Sequence, residues 1–374
     1  MHGKYQSYVK SIKLVNFRNY EKAELESCGR SVVLLGENGA GKTNLLEAVS
    51  LLSKGPGLRN ASAECMQNSG SATPWFVNYK AVGREEIFSV DIARKNNKRS
   101  VSVDGKAALY NTLHKILCMV WLIPQHDHIL LKAPTERLRF FDRVVHIFDK
   151  DYSSNMVKYE KAKRDRKRIL QEAPHHDHWL TSLESIMSTS GVSIARTRCN
   201  VLETLHTTLS AHATGADFFK FSIRLDSQVS RILEPSIEAV IATYSECLRN
   251  NRKTDAARNC TTFGVHNDNF QILHEPKNMV ASSCSTGEQK ILLLSLLLTA
   301  AMAKSKADGQ APVMLLDDVM SHLDAQHKEE LVTILQDLGC QTWMTDVDVK
   351  NFKGFQESFQ YYHIARGQIS KITP

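Results

Sequence analysis

Eight residues of the chain, GENGAGKT from Gly36 to Thr43, fit G-x-x-x-x-G-K-[ST] without a mismatch. The run before them, SVVLLG, is continuously apolar and ends in glycine, and the run after them, TNLLEAVSLL, reads as a helix. Strand, glycine loop and helix in this order constrain the fold more than any other feature, because such an apolar run predicts a strand buried on both faces of a parallel sheet. The chemistry follows from the residue types. Backbone N–H groups must converge on phosphate oxygens, and Gly36, Gly39 and Gly41 permit geometries that side chains would obstruct. Lys42 places a positive charge on the β- and γ-phosphates, Thr43 offers a hydroxyl to Mg2+, and the helix N-terminus adds its own field. The predicted ATP-binding set is Gly36, Glu37, Asn38, Gly39, Ala40, Gly41, Lys42, Thr43 and Asn44. A glycine-rich turn that matches by chance is the competing explanation, and the flanking strand and helix stand against it.

A second stretch, VMLLDDVMSHLD, supplies a partner. Its apolar residues deliver Asp317 to the C-terminal edge of the sheet, where it can hold the Mg2+ shell with Thr43. Asp318 follows and can orient or activate a water against the γ-phosphate. Between the two motifs in function lies Ser285-Thr286-Gly287-Glu288-Gln289, at the start of a long apolar helix. Its hydroxyl, its glycine amide and the helix N-terminus form a second anion site. One phosphate loop already surrounds most of one nucleotide, so the second site makes sense as a cap on the γ-phosphate held by another copy of the chain. A plain capping box, Ser285 with Glu288, is the simpler reading, and both can hold at once. The order and spacing resemble those of ABC-type ATPases, the stretch being similar to their signature LSGGQ with Thr286 in place of the first Gly. Asp324 matches the D-loop of that class, and Thr345 or Asp346 stands where transporters carry a switch histidine.

Further blocks narrow the resemblance. LVNFRNY (Leu14 to Tyr20), GLRNA (Gly57 to Ala61), IPQHDHILLKAPTERLRFFD (Ile123 to Asp142), GVHNDNF (Gly264 to Phe270) and LLDDVMSHLD together resemble the RecF family of bacterial recombinational-repair ATPases over nearly the whole length. The resemblance implies an α/β fold, an ABC-type P-loop ATPase head with a mixed sheet plus an inserted helical arm. It implies weak ATP hydrolysis with Asp318, Gln125 and Lys42 as catalytic residues, ATP-dependent homodimerisation, and binding to duplex, gapped or single-stranded DNA. Partnership with RecR and RecO in loading the RecA recombinase is also implied. The chain departs from the family pattern at Gln125, where Glu is usual, at His126 in place of Asp, and at Asn267 and Asn269, which replace the Arg and second Asp of a G-P-H-R-D-D-L block.

Along the chain, strand and turn signals fill residues 1–147, read as the first part of the head. The hairpin IFSVDIARKNNKRSVSVDGK turns at Lys95–Asn97 and again at Asp104-Gly105. Residues 148–250 lose Gly and Pro and become helical, which predicts a helical hairpin or arm. Residues 251–374 return to α/β and complete the head. On the arm, KYEKAKRDRKR from Lys158 to Arg168 holds seven basic residues against two acidic. Lys161, Lys163, Arg164, Arg166, Lys167 and Arg168 are the candidate DNA contacts, able to lie along a phosphate backbone without reading sequence, and a solvated helix face is the competing reading. The hairpin turn ARKNNKR is a second basic candidate. The His-rich loop Pro174 to Trp179 lacks metal-ligand spacing and reads as a polar arm tip.

Bulk properties exclude several classes. A net charge of +7 over 374 residues favours a polyanionic partner. The longest apolar stretch, Ile291 to Met302, is too short for a membrane span, and the N-terminus shows no signal-peptide pattern. Eight cysteines without a CxxC pair fit thiols in a reducing, cytoplasmic setting. The ATP-binding subunit of a transporter would use the same motifs, but the absent switch histidine and the basic arm oppose it. A chromosome-organising head would need much longer coiled coils, and a small-molecule kinase gives the signature turn no role.

Overall fold

A computed structural model of the chain describes residues 7–53, 55, 57–84, 86–172, 176–212 and 217–373. In chain order its main elements are β1 (Ser7–Phe17), β2 (Tyr20–Glu26), β3 (Val32–Leu35), α1 (Lys42–Ser50), β4 (Phe76–Gly83), β5 (Glu86–Lys95), β6 (Lys98–Val103), β7 (Lys106–Ala108) and β8 (Met119–Leu122). Then come α2 (Pro134–His146), α3 (Tyr152–Glu172), α4 (Asp177–His212), β9 (Phe221–Asp226), α5 (Ile237–Asn250), α6 (Arg252–Arg258), β10 (Asn269–His274) and β11 (Met279–Val280). The chain ends with α7 (Thr286–Asp308), β12 (Val313–Asp317), α8 (Ala325–Leu338), β13 (Thr342–Asp346), β14 (Gln360–Ala365) and β15 (Gln368–Ile372). Among the described residues no helix is long and apolar enough to cross a membrane.

The elements divide into two compact units, residues 1–127, 216–218 and 293–374 in the first, and 128–215 and 219–292 in the second. The expected arm boundaries at 147/148 and 250/251 both fall inside the second unit. The reason is long-range packing: α2 lies on β10, where Phe141 stacks on Phe270 at 4.6 Å, and α4 packs on β9.

The first unit holds two sheets. One is antiparallel, in the order β2-β1-β4-β5-β6-β7. Its last hairpins turn through Asn96-Asn97 and Asp104-Gly105, with φ of 49°, 58°, 50° and 74°, the left-handed pairs that a two-residue turn needs. The other runs β15-β14-β3-β13-β12-β8, with all strands parallel except β15. Every residue of β3, β12 and β13 is buried, as expected of central parallel strands. Both sheets and α1 share one core, built on Phe17, Leu46, Trp75, Tyr79, Leu315 and Trp343.

In the second unit α3 and α4 run antiparallel, as the contacts Asn155–Ser193 and Arg166–Glu184 require. The helix α4 continues through Gly191, where a Cβ would meet the Tyr244 ring of α5. Two buried arginines knit the unit together. Arg166, 0% exposed, donates to Glu184 at 3.0 Å, Asp255 at 2.7 Å and the Leu248 carbonyl at 2.7 Å. Arg198 grips both oxygens of Asp142 at 2.9 and 3.0 Å and reaches Asp268 at 2.7 Å. Beside it, Gly264 adopts φ 145°, and a Cβ there would strike the Tyr159 hydroxyl. That hydroxyl bonds His266 Nδ1 at 2.7 Å, while His266 Nε2 meets the Thr261 carbonyl at 2.9 Å. Burial, aided by Lys163, lowers the His266 pKa to about 4.

Two stability effects follow. Arg166→Met leaves buried Asp255 without its counter-charge, while Glu184 keeps Arg252 at 2.6 and 2.9 Å. It is expected to cost about 3–5 kcal/mol, against under about 0.5 kcal/mol for the exposed Lys161→Met, in urea unfolding of the full chain. His266 is neutral in the folded chain, so between its ordinary pKa near 6.5 and about 4 the unfolded state alone takes up the proton. Stability therefore falls as pH drops, by about 2 kcal/mol between pH 7 and pH 5, and His266→Gln flattens this slope.

Candidate nucleotide site

The phosphate loop lies between β3 and α1, and Gly41 caps the helix with φ 115°. A Cβ on Gly41 would collide with the Asn19 amide. Asn19 donates to the Ala40 carbonyl at 3.0 Å and accepts from Asn44 at 2.7 Å, and Asn44 in turn accepts from Arg59 at 2.7 Å. Behind them Glu47, 0% exposed, takes two bonds from Arg18 at 2.7 and 2.8 Å, with Arg59 at 3.5 Å. The blocks LVNFRNY and GLRNA thus brace the loop and its helix. Sequence reasoning singled out these blocks without finding this role. The signal present was two arginines flanking a helix with an acidic residue on its apolar face.

Lys42, nearly buried, donates to the carbonyls of Gly36 at 2.5 Å and Glu37 at 2.9 Å. Burial lowers its pKa, against the pull of Asp317, Asp318 and Asp346. Thr43 donates to the Asp317 carboxylate, its Oγ1 lying 2.9 and 3.1 Å from the two oxygens. The register of the sheet sets Asp317 opposite Thr345, whose hydroxyl donates to Asp317 at 2.5 Å and accepts from the Asp318 amide at 2.9 Å. Burial raises the Asp317 pKa, and the Thr345 and Thr43 hydroxyls oppose that rise. Asp318 adopts φ 54°, a conformation that costs a non-glycine residue about 1 kcal/mol or more, and Ser321 donates to its carboxylate at 2.9 Å. Of the two residues read as standing at the switch position, Thr345 touches both acids, while Asp346 accepts from the amides of Val347 and Asp348 and so caps its own loop.

The parallel order puts the C-terminal ends of β3, β13, β12 and β8 on one edge. Gln125 follows β8 there in a short 3-10 turn, exposed and with no side-chain hydrogen bond among the described residues. Asp324 is exposed and caps α8, accepting from the His327 amide at 2.9 Å.

In the second unit Ser285 precedes α7 in the expected capping box. Its hydroxyl accepts from the Glu288 amide at 3.4 Å, and the Glu288 carboxylate accepts from the Ser285 amide at 2.9 Å. Ser285, Thr286 and Gly287 are exposed, and a Cβ on Gly287 would meet nothing within 4 Å. Gln289 departs from the expected set: it is 2% exposed and donates inward to the Cys284 carbonyl at 2.9 Å.

The arm candidates separate by helical period. Lys161, Arg164, Lys167 and Arg168 are exposed on α3 with Lys158. Lys163 is partly covered and bonded to Glu160 at 2.7 Å. Arg166 is a correction: it shares the inward face with Tyr159, Ala162 and Ile169, and its guanidinium is spent on Glu184 and Asp255. Of the His-rich loop, Pro174 and His175 lie outside the described residues.

Comparison with known proteins agrees with this geometry. The RecF/RecN/SMC N terminal domain matches residues 8–370. The DNA replication and repair protein RecF of Brucella suis biovar 1 (strain 1330) is 34% identical over 372 residues, covering 97% of this chain and 96% of the relative. RecF of Rickettsia bellii (strain OSU 85-389) is 32% identical over 355 residues, 94% of this chain and 98% of its own. A solved structure of the recombination mediator protein RecF with ATP in the RecFOR pathway superposes with a TM-score of 0.84 at 24% identity, over 99% of both chains. The Smc head domain of Pyrococcus furiosus shares the fold more distantly, with a TM-score of 0.55 at 14% identity over 98% of this chain and 96% of that one. A phosphate loop braced by NFRNY and GLRNA, an acidic strand joined to it through Thr43, and full-length likeness to curated relatives lead to one assignment: the chain belongs to the RecF family.

Proposed function

We propose that the protein is an ATP-dependent DNA-binding repair protein that dimerises on ATP, hydrolyses it slowly, and acts with RecR and RecO to load RecA. The observation that carries the ATP part is the cluster of Thr43, Asp317, Thr345 and Asp318 beside the phosphate loop. Thr43 and Asp317 offer only oxygen donors within 2.9–3.1 Å of each other, a donor set that suits a hard cation. When bound there, Mg2+ supplies charge neutralisation at the β- and γ-phosphates. Lys42 exchanges its carbonyl partners for phosphate oxygens, and the braced amides of residues 36–43 hold the triphosphate in place. Asp318, fixed by Ser321 and Thr345, is the base that orients the attacking water. Slow turnover fits a chain without a switch histidine, in which Thr345 is committed to the two acids.

Dimerisation is assigned to the tip of α7, with Ser285 and the Gly287 amide capping the γ-phosphate of a second copy. The DNA track is assigned to Lys158, Lys161, Arg164, Lys167 and Arg168 on α3, whose contacts are electrostatic and independent of sequence. The RecR, RecO and RecA roles rest on membership in the family.

Sizing by light scattering with and without ATP, on duplex, gapped and single-stranded DNA, tests the whole reading. Wild-type protein is expected to dimerise only with ATP, and a strictly monomeric ATP-loaded chain overturns the proposal. Lys42→Ala is expected to abolish nucleotide-dependent dimers. Ser285→Arg is expected to block dimers while equilibrium dialysis still detects ATP on the monomer, and loss of that ATP would end the assignment of Ser285 to a second copy's nucleotide. Replacing Lys161, Arg164, Lys167 and Arg168 with Gln should weaken DNA binding. The slope of log affinity against log salt should drop by roughly 0.9 for each phosphate that the variant no longer neutralises. An unchanged slope returns α3 to a solvated face.

A further inference from the structure

Glu288 raises a problem of charge at the tip of α7. The amides of Thr286 and Gly287 lack intrahelical partners, and the backbone field at this end favours an anion. Yet the chain places its own anion there. Glu288 Oε2 accepts from the Ser285 hydroxyl at 2.8 Å and from the Ser285 amide at 2.9 Å. The bond from Lys277 and those from Ser285 lower the Glu288 pKa to about 2, so the carboxylate is ionised at any working pH. A triphosphate approaching this tip would meet like charge.

Lys277 answers that charge. Its Nζ lies 2.5 Å from Glu288 Oε1, with the two side chains 50% and 25% exposed. The lysine sits in the tight turn between β10 and β11. Its amide donates to His274 Nδ1 at 3.2 Å, the Asn278 amide donates to the Glu275 carbonyl at 3.0 Å, and Asn278 adopts φ 47°. The turn fixes the backbone from which the ammonium reaches Oε1, the Glu288 oxygen that Ser285's two bonds do not use.

We propose that Lys277 is a positioning residue for the triphosphate: it cancels the charge of Glu288, so that the free amides of Thr286 and Gly287, joined by the Ser285 hydroxyl once it turns from Glu288, can receive a second copy's γ-phosphate. This rests on the dimerisation reading given above. An exposed ion pair contributes little to folding. Its effect here is on the sign of the field at an anion site, which a purely structural pair would not alter.

Analytical ultracentrifugation of the full chain with ATP and Mg2+, at low and high salt, tests it, with ATP affinity of the monomer read alongside to separate a damaged phosphate loop from a weakened interaction with the second copy. Lys277→Met is expected to weaken the ATP-driven dimer by about tenfold or more at low salt, the deficit shrinking at high salt as screening removes the repulsion. Lys277→Arg keeps the dimer. Glu288→Gln added to Lys277→Met restores it, because Gln retains the capping-box acceptor without the charge. A Lys277→Met dimer as strong as wild type at low salt, or a double variant as weak as the single one, overturns the proposal while leaving the dimerisation reading intact. A wild-type chain that does not dimerise on ATP overturns both.

Discussion

The carboxylate of Asp317 sits almost out of water, and two hydroxyls reach it from different segments of the chain. Thr43 comes from the helix after the phosphate loop, and Thr345 from the neighbouring strand. Neither bond could form if β12 slipped by one residue against β13, because the side chains would then exchange faces. The full burial of β3, β12 and β13 prevents that slip, since it would set core residues against the wrong layer. So the packing of the parallel sheet and the chemistry of its edge are one constraint. The positive φ of Asp318 belongs to it as well: the chain leaves the strand sharply at that point, and Thr345 holds the freed amide.

What was legible in the sequence was what is coded locally. The phosphate loop, the apolar strands and the turns at Asn96-Asn97 and Asp104-Gly105 each depend on a few adjacent residues, so their spacing alone specifies them. Arg166 was not legible, because a charge run gives no sign of which member is met by Asp255, 89 residues further along. The same holds for Arg198 with Asp268, 70 residues away, and for the stacking of Phe141 on Phe270, a helix–strand contact that no local pattern encodes. Gln125 follows β8 at the edge that carries Asp317, and among the described residues its exposed side chain reaches none of the acidic groups by a hydrogen bond.

The departures at Asn267 and Asn269 are absorbed differently. Asn269 uses its amide oxygen to accept from Arg137 at 2.7 Å, a bond that a carboxylate would also make, with more charge. Asn267 is exposed and donates to the Thr262 carbonyl at 2.9 Å, tying down the loop it belongs to. An Arg and an Asp are thus replaced together, and the block's net charge is conserved. Its remaining members, Gly264, His266 and Asp268, keep the buried contacts to Tyr159 and Arg198.

The hydrogen bonds within the phosphate loop bear on how readily it can hold a phosphate. Lys42 spends its ammonium on two loop carbonyls, while Asn19 and Tyr20 hold the carbonyls of Ala40 and Gly41. Those last two bonds occupy carbonyls only, while the Ala40 amide donates to the Glu37 carbonyl at 3.2 Å. Binding exchanges neutral carbonyls for charged phosphate oxygens at Lys42, and charge-assisted bonds are roughly twice as strong as neutral ones. Arg18 and Arg59 hold Glu47 in the second turn of α1, and Arg59 also holds Asn44 in the first. The side-chain brace thus shifts the entropic cost of shaping the site from the binding step to the folding of the sheet edge.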